Sequence, residues 1–507
     1  MSEETVRGDT ETVEEERQST GIVGLDDILG GGLPEGHLFL IEGEPGTGKT
    51  TMALQFLLSG AKIGEKVMYI TLSESKRELR EVARSHRWSL DDIPIFEYTP
   101  AESALREEDQ YSAFHPSELE FQDITKNILA QIESVQPKRV VLDSLSELRM
   151  LARDSLRYRR QILALKQYFS NRNCTVVLLD DRTAEQNQLQ SIAHGVVVME
   201  RLSRTYGAER RRLRVAKLRG SRYREGFHDY TIETGGIVVY PRLIAAEHLT
   251  AYTDLGAITS GIPELDQLTG GGLDFGSSTL VLGPAGVGKS SLCMRYAVES
   301  AKQGGLAVFY AFDETIRSLV SRSAKLGSDP RPYIENGLIH VRQVDPAEIS
   351  PGEFVHNVRA NVLQQNARVI VIDSLNGLLN AMPDEDSLTI RMHELLTFLS
   401  HRGVMVLLVL SQSGVLGPNM HSPVDLSYLA DNMLLLRYFE AAGKVRKAIS
   451  VVKKRSSEHE DTIRELRLKP GNIVVGKPVA EFQGVITGVP QFIGATNQLV
   501  GDDGASR

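Results

Sequence analysis

Short continuous apolar runs recur along the chain, separated by amphipathic stretches. In the N-terminal half Leu38–Glu42, Val67–Leu72, Val140–Leu142 and Thr175–Leu179 read as buried strands, because their apolar residues are consecutive and do not alternate with polar ones. Met52–Leu58 and Ser155–Phe169 read as helices between them. The C-terminal half repeats the pattern with Thr279–Leu282, Ala307–Phe312, Val369–Ile372 and Val404–Leu410. Buried strands alternating with helices predict an α/β fold, with a mainly parallel twisted sheet covered by helices in each half.

The repetition extends to residues. Thr20–Leu33 reads TGIVGLDDILGGGL and Ser260–Leu273 reads SGIPELDQLTGGGL, a shift of 240 positions. The same shift carries Gly43–Thr50 (GEPGTGKT) onto Gly283–Ser290 (GPAGVGKS). A unit this long is a duplicated domain, not a solenoid repeat. The expected organisation is a disordered acidic tail at 1–17, a first domain at 18–247, a linker at 248–258, a second domain at 259–475, and a C-terminal loop and tail at 476–507.

Composition narrows the function classes. The 507 residues carry a net charge of −9, which gives the surface no general attraction for nucleic acid or an anionic membrane. The longest apolar runs fall far short of the roughly 20 residues that span a bilayer. The N-terminus lacks the apolar core of a signal peptide, so a soluble, cytoplasmic protein is expected. Cys174 and Cys293 sit among apolar residues and read as small buried thiols.

The two GxxxxGK[ST] segments carry the chemistry. Each follows an apolar strand and precedes a helix, the context in which glycines let backbone N–H groups curl around phosphate. Gly43, Gly46, Gly48, Lys49, Thr50 and Thr51 form the first site, and Gly283, Gly286, Gly288, Lys289, Ser290 and Ser291 the second. Lys49 and Lys289 are placed to neutralise the β- and γ-phosphates of ATP, and the Thr50 and Ser290 hydroxyls to meet Mg2+. The partner carboxylate for Mg2+ should end a later apolar strand. Asp143 in VVLD and Asp373 in VIVID fit. A carboxylate that orients the attacking water is also required. Glu74, after YITL, and Glu314 or Asp313, after FYAF, are the candidates.

The paired halves, the TGIVGLDDILGGGLPEG entry and the Lys-x-Arg-Gly-Ser segment resemble the KaiC family, RecA-like double-ring ATPases and autokinases of the cyanobacterial clock. The resemblance spans about residues 18–495. It implies a RecA-like core in each half and a homohexamer with ATP at subunit interfaces. It also implies autophosphorylation by the second ring and a KaiB-like partner on the first. The family's trans-acting Lys-x-Arg matches Lys217 and Arg219, and Lys453 and Arg455. Its adjacent phosphoacceptors match Ser427 and Tyr428, with Tyr where the family has Thr. The family's glutamate pair is Ser73-Glu74 in the first half and Asp313-Glu314 in the second. The chain beyond Pro490 is short, which argues against a KaiA-like activator.

Two other readings stay open. One is an ATP-gated scaffold without kinase activity. The other is a RecA/RadA-like ATPase acting on DNA, supported by the basic run Arg210–Arg224 and opposed by the acidic net charge.

Overall fold

The structure is a computed structural model that describes residues 16–98, 116–152, 154–181, 187–203, 206–249, 256–380, 385–412, 428–441, 443–485 and 491–493. The chain divides into two compact units between Arg242 and Leu243. Each unit is built on a nine-stranded sheet.

The strands of the first unit are β1 (Leu38–Gly43), β2 (Val67–Thr71), β3 (Ile95–Glu97), β4 (Arg139–Asp143), β5 (Thr175–Asp181), β6 (Gly195–Leu202), β7 (Arg210–Leu218), β8 (His228–Glu233) and β9 (Gly236–Tyr240). Their spatial order is β9-β8-β7-β6-β1-β5-β4-β2-β3. From β6 to β3 all neighbours run parallel. From β6 to β9 they run antiparallel. The second unit contains β10 (Ser278–Gly283), β11 (Leu306–Ala311), β12 (Ile339–Gln343), β13 (Ala367–Asp373), β14 (Met405–Ser411), β15 (Asn432–Ala441), β16 (Lys444–Lys454), β17 (Arg464–Lys469) and β18 (Asn472–Pro478). Strand for strand its order is the same: β18-β17-β16-β15-β10-β14-β13-β11-β12.

The apolar runs become strands because helices cover both faces. In β4, Val141 joins one buried cluster with Met52 and Leu54, while Val140 and Leu142 join another with Ile162 and Phe169. The second unit divides likewise, with Val369 and Val371 on one face and Ile370 and Ile372 on the other. Cys174 and Cys293 are buried thiols within these cores.

The apolar pattern gives no warning of the antiparallel extension. β7 buries only Leu213, Val215 and Leu218 fully and carries four arginines between Arg210 and Arg214. It therefore reads as a basic run, although it is an inner strand. A bulge opposite Val196 and Val197 falls beside Lys217, and its counterpart opposite Met433 and Leu434 falls beside Lys453. Bulges turn the strand and re-aim the side chains next to them.

Ala245–His248 forms a 3-10 turn within the second unit, where the Ala245 N–H donates to the Glu394 carboxylate at 2.7 Å. Within the expected tail 1–17, only Glu16 and Arg17 are among the described residues. Arg17 pairs with Pro34 in a two-residue strand, and its guanidinium donates to the Leu29 carbonyl at 2.7 Å. The rest of that tail, residues 250–255 of the linker and most of 486–507 lie outside the described residues.

Candidate functional site: two P-loops with unequal surroundings

Each P-loop leaves the middle strand of its sheet. β1 ends at Gly43, and the following helix begins at Lys49; β10 ends at Gly283, and its helix begins at Lys289. Gly48 has φ +94°, and a Cβ there would lie 2.7 Å from Ile232. A side chain would be strained in that backbone as well as crowded, so the loop needs glycine at this position.

One strand, β5, separates β1 from β4, so Asp143 faces the P-loop across it. The Thr50 hydroxyl is 3.4 Å from Asp143 Oδ2, and the buried Tyr69 hydroxyl donates to the same oxygen at 2.5 Å. Burial raises the Asp143 pKa, opposed by the Tyr69 hydrogen bond and by Lys49. Glu74 follows β2, the neighbour of β4. Its Oε2 is buried without a hydrogen-bond partner among the described residues. Burial, then Asp143 and Glu78, push its carboxyl up to about 7, with Lys49 acting the other way. Lys49 Nζ donates to the Gly43 and Glu44 carbonyls and to Asp181 Oδ1 at 2.9 Å.

In the second site Ser290 hydrogen-bonds Asp373, whose carboxyl burial pushes up to about 6. Lys289 donates to the Gly283 and Pro284 carbonyls, both at 2.8 Å, and burial holds its ammonium down at about 8. The two adjacent carboxylates part company here. Asp313 accepts a hydrogen bond from the Ser374 hydroxyl, next to Asp373. Glu314 is turned to Arg322, which donates at 2.5 and 2.7 Å, and to Ser318. The peptide after each strand-end aspartate, Asp143–Ser144 and Asp373–Ser374, is cis.

The Lys-x-Arg pairs lie away from their own P-loops. Lys217 Nζ donates to the Gln190 and Ala193 carbonyls, and Arg219 to Ser191. Lys453 donates to the Ala430 carbonyl, and Arg455 to the Tyr428 carbonyl at 2.9 Å. In each pair the lysine is on a strand and the arginine just past its end. Tyr428 is 54% exposed. Ser427 lies outside the described residues.

The residues suit Mg2+ and ATP: a glycine cradle with helical N–H groups beyond it, a lysine, and a hard hydroxyl–carboxylate pair in each half. A family model for the KaiC ATPase matches residues 18–244 and again 258–480. The chain belongs to the KaiC ATPase family. The circadian clock oscillator protein KaiC of Acaryochloris marina is 27% identical over 496 residues, covering 96% of this chain and 93% of its own. Circadian clock protein KaiC3 of a Synechocystis species is 26% identical over 495 residues, covering 96% of each. Both KaiC domains here are therefore ATPase domains of RecA-like α/β type, and ATP binding goes with the family.

Within this KaiC fold four site neighbours escaped the sequence reading: Tyr69, Asp181, Arg322 and Ser374. Only Asp181 had an available signal. It ends an apolar strand just as Asp143 does, in the run LLDD. No helix among the described residues is long and apolar enough to cross a membrane.

Proposed function

We propose that both domains bind and hydrolyse Mg·ATP, that the chain assembles as a double-ring homohexamer, and that the second domain is an autokinase acting on Ser427. The observation that carries the nucleotide reading is the Thr50–Asp143 and Ser290–Asp373 pairing, formed beside a P-loop in both halves. Mg2+ supplies charge neutralisation on the phosphates. Lys49 and Lys289 hold the β- and γ-phosphates. Thr50 with Asp143, and Ser290 with Asp373, hold the metal.

In the first domain Glu74 is the proton acceptor for the attacking water. A carboxyl pushed to about 7 is a base matched to neutral pH. In the second domain Asp313 takes that role, because Arg322 engages Glu314 in a two-point ion pair. Asp313 accepts the proton of water or of the Ser427 hydroxyl. Lys217 with Arg219, and Lys453 with Arg455, act across subunit interfaces, where a cation stabilises charge on the transferred phosphoryl group. Arg455 is bonded to the Tyr428 carbonyl, so the proposed acceptor segment and the proposed trans cation share one edge of the domain. Tyr428 is the weaker acceptor, its hydroxyl standing further from the backbone than a serine's. A KaiB-like protein is the expected partner of the first ring.

Turnover and intact mass test this reading together. Lys49→Ala and Lys289→Ala each remove part of the ATP turnover, and the double variant removes it all. Incubation with Mg·ATP adds phosphate to the chain, and Ser427→Ala prevents it. No added phosphate, or phosphate on other residues alone, rejects the kinase while leaving the ATPase standing.

A further inference from the structure

The two sites differ at one point beside the P-loop. β1 and β5 run parallel with Gly43 opposite Asp181, and β10 and β14 run parallel with Gly283 opposite Ser411. A carboxylate in the first domain thus takes the place of a hydroxyl in the second. Lys49 Nζ donates to Gly43 O at 2.7 Å, to Glu44 O at 3.2 Å and to Asp181 Oδ1 at 2.9 Å. An ammonium has three donors, and these bonds use all three. Lys289 makes the same two backbone bonds beside a strand that ends in neutral Ser411.

Asp181 is also fixed from behind. The fully buried Asp180 carboxylate pairs with Arg149, accepts from Ser146 Oγ at 2.8 Å and accepts from the Asp181 N–H at 3.0 Å. The second domain has Leu410 at that position, and Asn376 holds the Ser411 backbone in its place. The carboxylate against Lys49 is therefore held by a network that, among the described residues, the second domain does not repeat.

We propose that Asp181 sets the nucleotide preference of the first site, lowering its affinity for ATP relative to ADP, while Ser411 leaves the second site without that bias. The proposal rests on the reading of both P-loops as ATP sites. A P-loop lysine serves the β- and γ-phosphates. Bound ATP must draw Nζ from Asp181 and then places its γ-phosphate, an anion, beside the carboxylate. Like charges at that range repel. ADP lacks the group that meets the repulsion. The Asp181 side chain is 46% exposed, so water and salt screen it, and the expected bias is about tenfold and not thousandfold.

Equilibrium binding of Mg·ATP and Mg·ADP to the full chain tests this. In a Lys289→Ala background, which isolates the first site, Asp181→Ser and Asp181→Asn each raise the ratio of ATP to ADP affinity about tenfold. In a Lys49→Ala background, Ser411→Asp lowers the second site's ratio by a similar factor. Ratios that stay within twofold in both backgrounds overturn the proposal while the P-loop reading stands. A folded Lys289→Ala chain that binds neither nucleotide overturns the reading of the first P-loop itself. The unaltered Trp88 unfolding midpoint identifies the folded chain.

Discussion

Arg322 grips Glu314 through two hydrogen bonds of 2.5 and 2.7 Å, and the residue at its place in the first domain is Val82. The two glutamates occupy equivalent positions after equivalent strands, and one arginine separates their chemistry. Glu314 has a cation and a serine hydroxyl. Glu74 has a buried oxygen and a carboxyl pushed to about 7.

That contrast ranks the carboxylates. With the second site silenced by Lys289→Ala, Glu74→Gln should lower turnover by a factor of about 10² to 10⁴, the range for losing a general base. With the first silenced by Lys49→Ala, Asp313→Asn should be comparably severe and Glu314→Gln should cost less than about tenfold. The Glu314–Arg322 pair is partly exposed, so its stability contribution is about 1 kcal/mol or less. Steady-state phosphate release gives the three values, and a Glu314→Gln loss equal to that of Asp313→Asn reverses the ranking.

Shared sites make a distinct prediction. Arg219→Ala should reduce first-domain turnover by about 10³ while nucleotide binding by the same subunit is retained, as for loss of a cation on the transferred phosphoryl group. Mixing Arg219→Ala with Lys49→Ala subunits, both carrying Lys289→Ala, should restore activity, because some interfaces then combine an intact P-loop with an intact arginine. Two inactive parents that stay inactive when mixed would exclude a trans role.

His228 links first-domain stability to pH. Its ring is buried, with Nε2 donating to the Arg224 carbonyl and Nδ1 accepting from the Arg242 N–H. Burial, together with Arg242 and Arg224, holds its pKa down at about 4, against the Arg224 hydrogen bond. A depressed pKa means that the folded state favours neutral imidazole. The contribution is fully present above the ordinary value near 6.5, shrinks as pH falls, and is gone below about 4, up to about 3 kcal/mol in all. Urea unfolding followed at Trp88, the single tryptophan, should show this slope between pH 6.5 and 4, and His228→Gln should flatten it.

Among the described residues Arg139 is the largest fully buried side chain. It donates to Glu65 at 2.5 Å and to the Ser19 and Phe56 carbonyls, and it lies over the Phe56 ring. Removing its counter-charge strands a buried cation. Glu65→Ala should destabilise the first domain by about 3 to 5 kcal/mol, whereas Arg139→Met, which keeps the volume without the charge, should cost less. The Trp88 unfolding midpoints compare the two.

The sequence was most legible where burial is two-sided. Runs such as Val140–Leu142 and Val404–Leu410 have to be inner strands, and the P-loop spacing places both lysines. The antiparallel strands were hidden because β7 mixes three buried apolar residues with four arginines, a composition that looks like solvated surface. The sequence favours Glu314 over Asp313, and the ion pair with Arg322, from the second turn of the following helix, argues for the reverse order. Tyr69 reaches Asp143 from inside a strand whose side chains otherwise read as core. Tyr69 and Asp143 stand 74 positions apart, a contact that a local pattern does not encode.

Two sheets with one strand order make the chain its own reference. Any departure at matched points, such as Asp181 against Ser411 or Val82 against Arg322, can be measured against an internal standard under identical solvent, concentration and age of sample. Evolution had the same convenience. Once the plan was doubled, a single strand-end substitution could set one half apart and leave the other as it was, so division of labour required no new architecture.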